Sequence, residues 1–74
     1  MRATYDKEAD ASYVELVSPI EPGESKRQAV VHAEGLRAEI VFDFDDEDRL
    51  IGIEIFGAGS QLRRETLMSF VQLP

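Results

Sequence analysis

The sequence predicts an α+β fold: a small antiparallel β-sheet of four to five strands with one C-terminal helix packed on it. Three observations predict it. Ser12 to Val17, Glu39 to Asp45 and Leu50 to Phe56 each alternate apolar and polar side chains with period two. Clusters of Gly, Pro and Asp, residues that favour turns, separate these stretches. After Gly57-Ala58-Gly59 comes Ser60, a helix-capping residue, followed by Leu62, Leu67, Met68 and Val71, which are available to cover a sheet. The chain has 74 residues and is read as one domain, 1–74, with a strand core over about 3–56 and a helix over about 60–70.

Taken in order, Ala3 to Tyr5 is a short strand that turns through Asp6-Lys7-Glu8-Ala9-Asp10 into the next. In Ser12 to Val17, Ser12, Val14 and Leu16 share one face. Ser18 to Ser25 holds two prolines and a glycine and reads as a loop. Arg27 to Ala33, with Ala29-Val30-Val31 at its centre, is a further strand, and Glu34-Gly35 is a turn. Ile40, Phe42 and Phe44 point one way in the next strand, and Ile51, Ile53 and Ile55 in the one after it. Val14, Leu16, Ile40, Phe42, Phe44, Ile51, Ile53 and Ile55 are therefore the expected core. The final residues, 70–74, suit either a helix end or an extended tail.

Composition narrows the function classes. A chain of this size buries only roughly 60% of the surface it exposes unfolded. It has no cysteine for disulfides and a single histidine, so a structural zinc site is not expected and oligomerisation is favoured, most simply as a dimer. The net charge of −7 disfavours nucleic-acid binding. No apolar run approaches the roughly 20 residues of a membrane span, and the start of the chain is not a signal sequence, so the chain reads as a soluble cytoplasmic domain. The charge is local. Glu34 to Glu54 carries eight acids and two bases, net −6, so nearly all the excess belongs to one hairpin.

That hairpin is the sharpest chemical feature. Asp43, Asp45, Glu47 and Glu54 occupy the first, third, fifth and twelfth positions of a calcium-loop spacing. The sixth position, which wants glycine, is Asp48, and the flanks alternate as strands rather than helices. The preferred reading is a solvated hairpin tip whose aspartates favour turns, with weak divalent-cation binding as the lesser alternative. His32 has no nucleophile context around it. Asp6 and Asp10 bracket a short loop and suit hydrogen bonds to backbone amides. Gly57 and Gly59 lack the rest of a phosphate-binding loop. Arg63 and Arg64 are a small basic footprint, suited to a solvent-facing first turn or to the acidic hairpin of a second subunit. No catalytic residue and no cofactor are assigned.

The blocks Tyr5-Asp6-x-x-x-Asp10-Ala11-x-Tyr13-Val14 and Asp43-Phe44-Asp45-Asp46-Glu47-Asp48-Arg49-Leu50-Ile51-Gly52-Ile53-Glu54-Ile55 resemble a widespread small prokaryotic family, domain-of-unknown-function family 2283. The resemblance covers roughly residues 3 to 58. It implies a compact β-rich domain with a C-terminal helix and brings no activity, cofactor or catalytic residue. The family usually has glycine at the hairpin position held here by Asp48, a residue type that tolerates left-handed backbone better than most. Members found beside small toxin-like genes imply an antitoxin-like role.

These readings converge on a non-enzymatic, self-associating interaction or structural module. The alternative is an acidic antitoxin-like module that docks Asp45, Asp46 and Asp48 on a basic protein partner. A small enzyme ranks last.

Overall fold

The computed structural model describes residues 1–74 as β1 (Arg2–Asp6), β2 (Ala11–Glu15), β3 (Arg27–Val31), β4 (Ile40–Phe44), β5 (Leu50–Phe56), α1 (Ala58–Gln61), α2 (Arg64–Ser69) and β6 (Val71–Leu73). All five strands expected from alternation form, with boundaries within two residues of expectation. Two parts of the expected fold are corrected. The sheet has six strands and is mixed, because the C-terminal tail adds β6 parallel to β1. The single helix is two short ones, broken where Leu62 and Arg63 adopt extended backbone. The break returns the chain to the free edge of β1, where Val71 and Leu73 find main-chain partners that a continuing helix would not have reached. Ser60 does not cap. Gly57 is the N-cap of α1, in the left-handed region at φ 60°, and Ser60 Oγ donates to the Gly57 carbonyl.

The strand order is β3-β4-β5-β2-β1-β6. Directly paired residues share a face, so the register sorts the side chains. One face carries the rows Val31–Ile40–Ile55–Ser12–Tyr5–Gln72 and Ala29–Phe42–Ile53–Val14–Ala3. The other carries Val30–Val41–Glu54–Tyr13–Thr4–Val71 and Gln28–Asp43–Gly52–Glu15–Arg2. Both helices lie in the crossover from β5 to β6, two parallel strands. A right-handed crossover places them on the first face. Gln72, on that face, accordingly donates through Nε2 to the Leu67 carbonyl of α2 at 2.8 Å. The first face is thus the covered face and the second the open face.

Coverage is incomplete. Six residues of α2 span about 9 Å, whereas six strands at their usual spacing are about 24 Å wide. The buried apolar side chains are Val41, Ile51, Ala58 and Leu67. Of the eight expected core residues only Ile51 is buried. Val14, Ile40, Phe42, Phe44, Ile53 and Ile55 are half-buried, and Leu16 is 36% exposed. The alternation placed these residues on the right face, and the short helices leave that face only partly covered. No helix is long and apolar enough to cross a membrane.

Candidate functional site

The open face is built around a buried carboxylate. Asp43 of β4 is 4% exposed, because Tyr13, Gln28 and Ser25 close over it. Tyr13 Oη donates to Oδ2 at 2.5 Å, while Gln28 Nε2 and Ser25 Oγ donate to Oδ1 at 2.8 and 3.0 Å. Strand alternation explains the meeting. Gln28 and Asp43 are direct partners, Gly52 is the next residue in the row, and Tyr13 reaches diagonally across β5 from β2. Gly52 makes that reach possible. A Cβ there would overlap the Tyr13 hydroxyl and come within 2.8 Å of its Cζ.

No Lys, Arg or His forms an ion pair with Asp43. Three neutral donors therefore take the place of its water shell. Burial, and then the hydrogen bond to Asp43, push the Tyr13 phenol well above its ordinary value, so it remains a neutral donor. Glu54, directly paired with Tyr13, is also raised, first by burial and then by the charge of Asp43. The arrangement ties β2, β3, β4 and the loop before β3 together across β5. It concentrates negative charge at the centre of the face without an activated nucleophile.

The acidic hairpin separates its own residues. Asp43 and Glu54 lie on the open face, whereas Asp45 and Glu47 belong to the turn. Asp45 Oδ1 accepts from the Glu47 and Arg49 amides, both at 2.9 Å, and Oδ2 accepts from Arg49 Nε at 2.9 Å. These bonds, led by the Arg49 amide, hold the Asp45 carboxyl below the usual range. Glu47 meets Arg49 at 3.2 Å. No three of the acidic or histidine side chains converge as a cation cage would require. Asp48 takes up the left-handed turn position at φ 58° and accepts from Arg27 Nε at 3.1 Å, while Arg27 stacks over Phe44 with its guanidinium carbon 4.2 Å from the ring centre. Asp46 is exposed.

The remaining residues singled out from the sequence are dispersed. Arg63 pairs with Glu65 at 2.6 Å and Arg64 opens α2, both exposed. His32 Nε2 lies 3.7 Å from Glu39. Asp6 accepts from the Glu8 and Ala9 amides, as the loop reading expected. Asp10, in the left-handed region at φ 50°, accepts from Tyr5 Oη and the Gly59 amide, both at 2.9 Å, and so fastens α1 to the β1–β2 turn. Sequence reasoning missed Tyr13, Ser25, Gln28 and Gly52 as one cluster. Their spacings of 12 to 39 residues carry no local signal. The one legible hint was a glycine interrupting the apolar alternation of β5.

No curated protein and no solved structure matches the chain. A family profile does, that of the protein of unknown function DUF2283, over residues 2–58. The matched span runs from β1 to the start of α1 and contains the whole Tyr13–Asp43 cluster and the acidic hairpin, leaving α2 and β6 outside it. The chain therefore belongs to the DUF2283 family of proteins of unknown function.

Proposed function

We propose that the chain is a non-enzymatic interaction module that works by self-association. The observation that supports this reading is the unfinished covered face. Phe42, Phe44, Ile40, Ile53, Ile55 and Val14 form one apolar surface, yet a single copy leaves each of them half in water. At about 25 cal/mol per Å² of apolar surface, covering the remainder is a substantial gain for a domain this small. A second copy can supply it, with a dimer as the simplest closed assembly. The open face is consistent with a binding rather than a catalytic role, since every lone pair of Asp43 used in the cluster meets a neutral donor. A cytoplasmic setting fits the cysteine-free composition.

Sedimentation velocity at micromolar concentration tests the reading. The expected result is a species of about twice 8.3 kDa. A clean 8.3 kDa monomer up to high micromolar concentration overturns it.

The net −6 of Glu34 to Glu54 favours a second reading, docking on a basic protein in the manner of an antitoxin. The turn weakens it, because Asp45, Glu47 and Asp48 already engage Arg49 and Arg27. Charge reversal at Asp45, Asp46 and Asp48 should then abolish capture of the basic partner, and unchanged capture refutes this reading.

A further inference from the structure

Resting on the self-association reading above, we infer that two copies join through β3, antiparallel edge to edge, about a two-fold axis passing beside Val30. The sheet has two free edges. β6 is only three residues long, whereas β3 runs straight for five, Arg27–Val31, and lacks the devices that normally blunt an edge: no proline, no bulge and no charge in its middle.

The direction of its main-chain groups follows from its neighbours. The Glu39 carbonyl accepts from Phe56 of β5, so Glu39, Val41 and Asp43 turn their peptide groups toward β5. The Phe44 carbonyl accepts from Lys26, so Ile40, Phe42 and Phe44 turn theirs toward β3. Their partners Arg27, Ala29 and Val31 face inward in turn. Gln28 and Val30 are left with N–H and C=O directed at the open edge, and Val30 is 48% exposed.

Charge selects the register. With Val30 opposite its own copy, Val30 exchanges both main-chain bonds with itself, and Gln28 exchanges bonds with His32 of the second copy. Ala29 then lies opposite Val31, extending the rows Ala29–Phe42–Ile53 and Val31–Ile40–Ile55 across the junction. Lys26 comes within side-chain reach of Glu34 of the second copy, twice by symmetry. Neither residue has an ion-pair partner within the chain, whereas the neighbouring Arg27 and His32 are engaged with Asp48 and Glu39. Moving the axis to Ala29 instead places Glu24 opposite Glu34, two like charges. The result is one continuous sheet whose half-covered apolar faces lie side by side.

The test combines sedimentation with amide exchange on the full chain. Val30→Pro removes an N–H that no strand of the same copy uses, so it should leave the fold intact and convert the dimer to monomer. Lys26→Glu and Glu34→Lys should each raise the dimer dissociation constant about tenfold at low salt, and the double variant Lys26→Glu/Glu34→Lys should restore it. In the wild type, the Val30 amide should become protected from exchange as concentration rises. If the wild type is monomeric, both this pairing and the self-association reading fail. If it is dimeric but the charge reversals and their combination leave the constant unchanged, and the Val30 amide exchanges at one rate at all concentrations, the β3 pairing is overturned while self-association stands. Should Val30→Pro fail to fold, the charge-swap pair decides.

Discussion

Tyr13 and Asp43 are 30 positions apart in the chain and on strands that do not touch, yet their side chains meet at 2.5 Å across the intervening β5. The phenol crosses above Gly52, and the carboxylate it reaches has no cationic partner. A buried charge held only by neutral donors depends on every donor, so the cluster should respond sharply to small changes.

Removing the acceptor should cost most. Asp43→Ala leaves the Tyr13 hydroxyl, Gln28 amide and Ser25 hydroxyl without their partner, and is expected to lower stability by about 3 kcal/mol. Tyr13→Phe removes one hydrogen bond to a charged acceptor and should cost about 1.5 to 3 kcal/mol. Urea denaturation measures both. Equal costs for the two substitutions would mean that Gln28 and Ser25 contribute nothing to holding the carboxylate.

Gly52→Ala should be as damaging as Tyr13→Phe or worse, although it adds only a methyl group. The new Cβ displaces the Tyr13 ring, so the Tyr13–Asp43 bond is lost and the ring is misplaced as well, at roughly 2 to 3 kcal/mol. In the Tyr13→Ala background the same glycine change should cost far less. A double-mutant cycle reads the difference, and simple additivity would show that the ring and Gly52 are not coupled.

Glu54 predicts a pH dependence of definite sign. Its carboxyl is raised in the fold by burial and by the charge of Asp43, so the folded state holds the proton more tightly than the unfolded one. The favourable contribution is therefore complete below the ordinary glutamate range, near pH 4, and is lost as pH rises through the folded-state value. Glu54→Gln should consequently be more stable than the wild type at pH 7, by about 1 kcal/mol at most given its partial exposure, and indistinguishable from it near pH 3.5. Urea melts at the two pH values test this, and a less stable variant at pH 7 would reverse the sign.

Asp45 behaves in the opposite sense. Its carboxyl is lowered, chiefly by the Arg49 amide, so its contribution to the hairpin is present above the ordinary aspartate range and lost as pH falls through the lower folded value. Carboxyl NMR titration should find Asp45 protonating later than the exposed Asp46 as acid is added, and Asp45→Ala should loosen the turn and speed exchange of the Glu47 and Arg49 amides.

Legibility followed range. The β4–β5 hairpin could be read directly because its alternation and its turn lie within 17 residues, and Asp48 indeed carries the left-handed position there. The helix was misread because Ser60 and the apolar positions after it satisfy a local helix pattern, while the competing attraction, the free edge of β1, is about 65 residues away. The candidate cation set was legible as a spacing, but strand pleat sends Asp43 and Glu54 to the open face and the turn retains Asp45 and Glu47.

The sequence by itself determined which segments are strands, which face of each is apolar, and that the negative charge gathers on one hairpin. Those properties reside in side-chain alternation and turn chemistry over a few residues. Only the tertiary structure decided that Asp43 is a buried anion under Tyr13, that the tail closes the sheet as a parallel sixth strand, and that the covered face stays half-exposed. Each depends on which strands become neighbours and on how far two short helices reach, and pairing between distant segments is set by the free energy of the whole sheet rather than by any local stretch of it.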